Sequence, residues 1–248
     1  MIDIHSHILP GIDDGAPDMD TALAMAEMAV ESGVTAIVAT PHCNVPGRFE
    51  NYWDFQLRRQ YNEFQQALQA AEIPLTVFSG MEVFGTPDTP GLLGKGKLTT
   101  LGGSRYLLIE FPFVGYARQA TELLREIGAM GYRPVVAHPE RYRFTQENPE
   151  ILNLWLDLGC LMQLNKGSLL GRFGRTAQAL ALSMLNRGFA GAVASDAHAS
   201  TVRTTWMLDI WDFLCDETSE DTARLLLEEN PRRILGDGDI RMNEPDWF

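Results

Sequence analysis

Short apolar runs of strand length alternate with longer segments of helical periodicity along the whole chain. Seven runs are interpreted as strands: Ile2–Ile4, Ala36–Thr40, Leu75–Phe84, Tyr106–Glu110, Pro134–Ala137, Leu161–Asn165 and Ala190–Ser195. Helices are predicted over Asp20–Ser32, Trp53–Ala71, Ala117–Ala129, Asn148–Leu158, Arg175–Arg187, Arg203–Cys215 and Ser219–Glu229. A long loop is expected over 86–101, and a short terminal turn from Pro231. Regular alternation predicts parallel strands joined by right-handed crossovers. We therefore expect an α/β fold, a distorted TIM-like (β/α)7 barrel that forms a single domain over 1–248.

Polar side chains of one chemical kind follow the predicted strands. All five histidines of the chain lie at such places, namely His5, His7, His42, His138 and His198. The acidic residues Glu82, Glu110 and Asp196 share this placement, and Asp14 is a further candidate in the loop that follows His7. In a parallel barrel the carboxyl ends of the strands converge on the face that holds the active site. The i, i+2 spacing of His5 and His7 also points both side chains the same way on an extended strand. The pattern predicts a metal centre.

The ligand types restrict the metal and its chemistry. Imidazole and carboxylate without thiolate suit Mn²⁺, Fe²⁺ or Zn²⁺. One four-coordinate ion cannot use this many ligands, so two or three divalent ions are expected. Such a centre activates water and clamps the oxygens of a phosphoester.

The overall charge excludes a general nucleic-acid binder. The chain carries 20 basic and 33 acidic side chains, a formal charge of −13, whereas nucleic-acid binding requires a basic surface. The start of the sequence has no charged and apolar segments typical of a signal peptide, and no apolar run reaches the length of a membrane span. We therefore expect a cytoplasmic protein without membrane insertion.

The three cysteines do not form a disulfide framework, a CxxC site or a cysteine-phosphatase motif. Positions six residues after Cys43, Cys160 and Cys215 are not arginine. If the strand continues beyond His42, Cys43 points away from it and is buried. Hydrolysis by metal-activated water is therefore expected, without a phosphocysteine.

The segments MIDIHSHILPGIDDGA, TPH, GMEV, LLIEFP, AHPERY and SDAH occur in this order between Met1 and Arg203. In these motifs the chain resembles the polymerase and histidinol phosphatase (PHP) superfamily. More closely, it resembles the bacterial protein-tyrosine phosphatases associated with capsule and exopolysaccharide. The resemblance implies a three-metal centre that is usually supported by manganese. It also implies a phosphotyrosine substrate in the tail of a tyrosine autokinase that controls polysaccharide export.

The resemblance also implies a role for each matching residue. One ion would be held by His5, His7, Glu82 and Asp196, a second by Glu82, Glu110 and His138, and a third by Asp14, His42 and His198. Asp14 is favoured over Asp13 as the ligand, and Asp13 is expected to cap the loop or orient a ligand. Arg141 and Arg203 match arginines placed around the phosphate, where they would bind substrate and assist catalysis. Arg48 is a weaker substrate-binding candidate, and His42 is one candidate for the general acid.

Three other functions stay open at this point. A small-molecule phosphatase, such as one acting on histidinol phosphate, would share the metal motifs. A metal-dependent amidohydrolase would need a carboxylated lysine, and Lys166 is the only lysine placed after a strand for that role. A non-enzymatic metal-binding regulator is disfavoured because the ligand set is intact.

Overall fold

The computed structural model describes residues 1–248 and confirms an α/β fold whose strands all pair in parallel. The strands are β1 (Ile2–Ser6), β2 (Ala36–Ala39), β3 (His42–Cys43), β4 (Thr76–Ser79), β5 (Glu82–Phe84), β6 (Tyr106–Glu110), β7 (Arg133–Ala137), β8 (Leu161–Asn165) and β9 (Ala190–Ala194). They form two sheets, one ordered β1-β2-β4 and the other β3-β5-β6-β7-β8-β9.

The chain passes between the two sheets at two breaks, each inside or beside a segment predicted as one strand. The first break is at Thr40–Pro41, where proline lacks the N–H that a sheet ladder requires. The second is at Gly80, so the prediction of one strand over Leu75–Phe84 is wrong. Tyr61 fills the space between the breaks: its hydroxyl contacts the carbonyl oxygens of Ala39 at 2.6 Å and Gly80 at 2.7 Å. A Cβ at Gly80 would lie 2.6 Å from a methyl of Val38, so this position requires glycine.

The free edges of the two sheets meet between β1 and β9. Ser6 and Ala197 form an isolated parallel bridge, the His7 amide donates to Ala197 O at 2.9 Å, and the Asp196 amide donates to His5 O at 2.9 Å. When each broken strand is counted once, seven strand positions follow one another in chain order around this closure. This is the expected distorted seven-unit arrangement. It brings the HxH segment beside Asp196.

The helices pack outside the strands. They are α1 (Met19–Glu31), α2 (Phe55–Ala70), α3 (Thr89–Gly94), α4 (Ala117–Ala129), α5 (Arg143–Glu147), α6 (Ile151–Asp157), α7 (Lys166–Leu169), α8 (Arg175–Asn186), α9 (Leu208–Glu217), α10 (Glu220–Arg224) and α11 (Asn230–Leu235). None of them combines the length and the apolar character that crossing a bilayer requires.

Strand alternation explains why the site lies where it does. Residues on the outer face, such as Ile109, Leu164 and Val193, join the large core under the helices. Residues on the inner face form a second cluster, which includes Leu108 and Ala194. Side chains two positions further along these inner faces are polar, so the interior of the fold changes from apolar to ionisable at the carboxyl ends of the strands.

Three predictions differ from the structure in where helices occur: one loop, one helix start and the terminal turn. The segment expected as a loop, 86–101, contains α3. The helix expected from Arg203 begins at Leu208, which leaves Arg203 in a loop. The expected terminal turn is wrong because α10 continues through a π-helical segment, Leu225–Glu229, into α11. Pro231 lies in the first turn of α11, where its missing N–H is tolerated.

Candidate metal centre

The HxH segment at the end of β1 presents two buried imidazoles with their ring orientation held from behind. His5 Nδ1 lies 2.8 Å from Gln163 Oε1, and His7 Nδ1 lies 2.7 Å from Asp13 Oδ2. In each pair the oxygen accepts the Nδ1 proton, so the neutral form of the ring offers its Nε2 lone pair to a metal. The two Nε2 atoms are 3.3 Å apart and face the centre of the site. Partners of this kind orient metal-ligating histidines and select their tautomer.

Asp13 organises the loop that follows His7. Its Oδ2 also accepts the backbone N–H of His42 at 2.9 Å, and its Oδ1 accepts the N–H of Gly15 at 2.9 Å. A Cβ at Gly15 would lie only 2.1 Å from the His7 carbonyl oxygen, so the DDG segment requires glycine there. The expectation that Asp13 caps the loop and orients a ligand therefore agrees with its contacts. Asp14, with its carboxylate free of these bonds, turns toward His42 and His198.

Glu82 lies at the middle of the polar cluster and is fully buried. Its Oε2 is 2.9 Å from His42 Nδ1 and 3.2 Å from His7 Nε2, and its Oε1 is 2.9 Å from His138 Nε2. Glu110, at the end of β6, approaches the same His42 Nδ1 at 3.1 Å. Glu82 therefore lies between His7, His42 and His138, a position suited to the bridging ligand that the family resemblance implies.

Ligand atoms collect into three groups, each within 4.8 Å across. The groups are His5, His7 and Asp196; His42, Glu82 and Glu110; and His7, Asp14, His42 and His198. They overlap the implied sets with three differences: Glu82 is absent from the first group, His42 takes the place of His138 in the second, and His7 joins the third. His138 contacts the cluster through Glu82. All nine predicted ligands are thus brought together.

The protonation of the cluster follows from burial and neighbouring charge. Burial opposes protonation of His42, but the carboxylates of Glu82 and Glu110 outweigh it and raise the pKa of His42 to about 10. Burial lowers the pKa of His138 to about 4. The histidines His5 and His42 hold the pKa of the buried Glu82 well below its usual value, although burial alone would raise it. Positive charge beside Glu82 therefore stabilises the ionised form of its carboxylate.

The donor set fits divalent cations. Glu82 Oε2 and His42 Nδ1 approach to 2.9 Å without the alignment of a hydrogen bond, and His138 Nδ1 is buried without any hydrogen-bond partner, which is costly for polar atoms in a protein interior. Carboxylates and imidazoles packed around common points are the ligands of Mn²⁺, Fe²⁺ and Zn²⁺ sites. Cations bound between them would satisfy the unpaired atoms and neutralise the like charges.

Three arginines surround the cluster at the mouth of a cleft of about 230 Å³. Arg141 and Arg203 contact the two oxygens of Asp196 at 3.3 and 2.6 Å, and the exposed Arg48 contacts Asp14 at 3.1 Å. Asp196 itself has a left-handed φ of 49°, a strained conformation found mostly at functional sites. Each of the predicted arginines therefore lines the same cavity as the predicted ligands.

Other residues of the site were not predicted from the sequence. Gln163 and Asn165 lie on the inner face of β8, which corresponds to the one predicted strand of the seven that has no candidate ligand, and Asn165 Nδ2 donates to Asp196 at 2.6 Å. The i, i+2 spacing of these two amides in an otherwise apolar strand is the sequence signal that would have placed both side chains on the inner face. The ring of Phe173 lies 4.1 Å from Arg141 Cζ and 5.7 Å from Arg203 Cζ, and no sequence pattern indicates this contact.

Lys166 and Cys43 do not take part in the ligand cluster. The buried Lys166 Nζ donates to the carbonyl oxygens of Thr204 and Trp206, and so anchors the segment that follows Arg203. This position disfavours the carboxylated-lysine hypothesis. Cys43 is buried as predicted, and burial raises the pKa of its thiol to about 12.

Comparison with known families agrees with this geometry. The family described as capsular polysaccharide synthesis, CpsB/CapC, matches residues 1–236. This chain belongs to the CpsB/CapC family. Within this family it is 40% identical over 198 residues to the tyrosine-protein phosphatase YwqE of Bacillus subtilis, a match that covers 80% of this chain and 77% of YwqE. It is 31% identical to the tyrosine-protein phosphatase CpsB of Streptococcus pneumoniae, over 96% of this chain and 99% of CpsB.

The fold of this chain is also similar to that of a solved structure from the CpsB/CapC relatives. It comes from work on YwqE of Bacillus subtilis and CpsB of Streptococcus pneumoniae, which are described there as metal-dependent tyrosine phosphatases. The TM-score is 0.93 at 35% identity, and the match covers 100% of this chain and 99% of the solved one.

Proposed function

We propose that this chain is a metal-dependent phosphatase that hydrolyses phosphotyrosine in proteins. The observation that carries the proposal is the convergence of three ligand groups on one narrow cleft with three arginines at its mouth. Buried carboxylates and imidazoles suit metal ions, whereas arginines beside them suit a dianionic phosphate. The names of the relatives in the CpsB/CapC family support the same assignment.

We propose two or three bound ions, with manganese as the metal. The first would be held by His5, His7 and Asp196 beside Glu82, the second by Glu82, Glu110 and His138 beside His42, and the third by Asp14, His42 and His198 beside His7. Divalent ions in such a centre supply an activated water nucleophile and neutralise charge on phosphoryl oxygens.

The protein's own groups would bind and orient the phosphate ester. Arg141 and Arg203 each present a planar guanidinium at the cleft, which can hold two phosphate oxygens and stabilise the charge that develops on them. Phe49 and Phe113 line the same cleft and offer apolar walls for a phenyl ring. His42 has the most exposed imidazole of the five, with a side chain that is 15% accessible, but its Nδ1 faces Glu82 and its Nε2 faces Asp14, so as a metal ligand it would carry no proton for the leaving phenolate.

We also propose a physiological role for this phosphatase activity. We propose a phosphotyrosine protein as the partner, namely the tail of a tyrosine autokinase that controls polysaccharide synthesis, in the cytoplasm. One domain over 1–248 is sufficient for this activity in our proposal. The membership of the chain in a capsular polysaccharide synthesis family supports this role.

A reconstitution experiment tests the function. Protein stripped with a chelator should be inactive, and protein reloaded with Mn²⁺ should hydrolyse p-nitrophenyl phosphate and a phosphotyrosyl peptide faster than a phosphoseryl peptide or histidinol phosphate. Glu82→Gln should hydrolyse p-nitrophenyl phosphate more than roughly a hundredfold more slowly than wild type. This loss exceeds the one typical of a residue that only supports a metal ligand. Glu63→Gln, an exposed glutamate of α2, is the matched control. Folded, reloaded protein without activity on aryl phosphates would contradict the proposal.

A further inference from the structure

A second cavity of about 320 Å³ lies beside the metal cleft, between the segments that follow β5 and β6. The two cavities share a wall: Phe84 and Phe113 line the cleft, whereas their chain neighbours Gly85 and Pro112 line this groove. Because neighbouring residues are only about 3.8 Å apart, a peptide anchored in the cleft needs few residues to reach the groove.

Two hydrogen bonds fix the segment that forms one wall of the groove. The N–H of Arg143 donates to Phe113 O at 2.9 Å, and the N–H of Phe111 donates to the hydroxyl of Tyr142 at 3.1 Å. These bonds hold the segment between β6 and α4 against the turn after β7. A preformed pocket reduces the conformational entropy lost when a ligand binds.

The segment between the cleft and the groove carries exposed apolar side chains. Phe113, Val114 and Tyr116 are 44%, 76% and 74% exposed, and they lie within four consecutive residues. Pro112, Leu123 and Phe144 line the groove behind them. Contiguous apolar side chains at a surface mark sites of interaction.

The mouth of the cleft and the groove offer charged side chains of opposite sign to a ligand. Arginines surround the metal cleft, whereas two glutamates of α4, Glu122 and Glu126, line the groove. Arg118 pairs with Glu122 at 2.8 Å, but Glu126 makes no ion pair. A ligand that spans both cavities is therefore recognised by a phosphate at one end and a positive charge at the other.

We propose that this groove binds the peptide segment that flanks the phosphotyrosine, with an apolar side chain in the groove and a basic residue beside Glu126. The inference rests on the proposed function and adds a subsite to it. Recognition of an extended peptide by a pocket beside the anchoring residue is a common source of specificity.

The test compares substrates that do and do not reach the groove. Tyr116→Ala and Glu126→Lys should leave turnover of p-nitrophenyl phosphate unchanged. Tyr116→Ala should lower kcat/KM by roughly tenfold for phosphotyrosyl peptides that carry a leucine near the phosphotyrosine, as expected when apolar contact is lost. Glu126→Lys should reverse a preference for lysine over glutamate in the same peptides. Scanning the leucine and lysine along both sides of the phosphotyrosine locates the subsite.

A matched control variant and two distinct negative results separate a failure of the groove proposal from a failure of the proposed phosphatase function. Glu27→Lys changes an exposed, unpaired glutamate of α1 outside the groove and should behave as wild type. No turnover of p-nitrophenyl phosphate by the wild type would refute the proposed function. Normal turnover with no effect of flanking residues would refute the groove alone. A change of oligomeric state in Tyr116→Ala with unchanged peptide kinetics would assign the groove to a second copy of the chain and would also refute it.

Discussion

Replacing Asp13 by asparagine tests whether the carboxylate behind His7 prepares that ring for a metal. Asp13 Oδ2 accepts from His7 Nδ1 at 2.7 Å and from the His42 N–H at 2.9 Å, and Oδ1 accepts from the Gly15 N–H at 2.9 Å. An amide side chain has one acceptor oxygen and one donor group. The asparagine side chain of the Asp13→Asn variant therefore cannot satisfy all three donors, whichever way it is turned.

The magnitude follows from this mismatch. Turning the amide oxygen toward His7 and His42 leaves the Gly15 N–H facing an NH₂ group, and an unsatisfied buried donor costs about 1–3 kcal/mol. Loss of the negative charge also weakens the bond that selects the His7 tautomer. Substitution of such a supporting partner typically lowers metal affinity by roughly 10–100-fold, or about 1.4–2.7 kcal/mol. We therefore expect Asp13→Asn to bind Mn²⁺ roughly 10–100-fold more weakly than wild type.

The assay is a titration of chelator-stripped protein with Mn²⁺ in competition with a chelator of known affinity. Activity of Asp13→Asn should recover at high Mn²⁺, because the supporting residue holds no ion itself. Asp14→Asn should bind Mn²⁺ more weakly than Asp13→Asn, and its activity should recover less at high Mn²⁺. Asp18→Asn is the control: Asp18 caps α1 by accepting the Thr21 N–H at 2.8 Å, and asparagine caps a helix as well as aspartate does. Wild-type Mn²⁺ affinity in Asp13→Asn would refute the orienting role.

Three further changes test other parts of the site. Phe173→Leu removes the aromatic face 4.1 Å from Arg141 Cζ, so kcat/KM on an aryl phosphate should fall by roughly fivefold, while Mn²⁺ affinity, measured in parallel, stays constant. Gly15→Ala would place a Cβ 2.1 Å from His7 O, so we expect lower thermal stability and metal affinity; a wild-type melting temperature and titration would contradict this. Burial lowers the pKa of Lys166 from 10.5, so the folded protein releases this proton before the unfolded chain does. The unfolding free energy of wild type relative to Lys166→Met should therefore rise as the pH increases toward 10.5, and a difference that is constant between pH 7 and 10.5 would contradict the shift.

Elements with clear local signals were predicted with correct bounds. β6, β8 and α4 begin and end where the sequence indicated, because proline, glycine or a change of periodicity marks their ends. The break at Gly80 was missed because the apolar pattern runs through it, and the bend depends on the hydroxyl of Tyr61, which is distant in sequence. The end of the chain was misjudged because a π-helical segment lets the helix continue past Pro231.

Residues of the candidate site were predictable to the extent that they are ligands. Histidine and carboxylate at strand ends have a recognisable spacing, and all nine candidates converge in the structure. The supporting residues carry no such signal. Gln163 is an ordinary amide in an apolar strand, and Phe173 lies in a loop, so their contacts with His5 and Arg141 exist only once β8 and its following loop are in place.

The sequence by itself determined the parallel α/β organisation and the chemistry of the site, because periodicity and residue type are local properties. The tertiary structure decided how the ligands are shared. Closure of β1 against β9 brings His7 and Asp196 together, and Asp13 turns inward to hold His7 while its neighbour Asp14 faces the metal cluster. The tertiary structure also decided that an acidic, apolar groove adjoins the arginine-lined cleft. These relations join residues far apart in the chain, and only packing of the seven strand positions sets the distances between them.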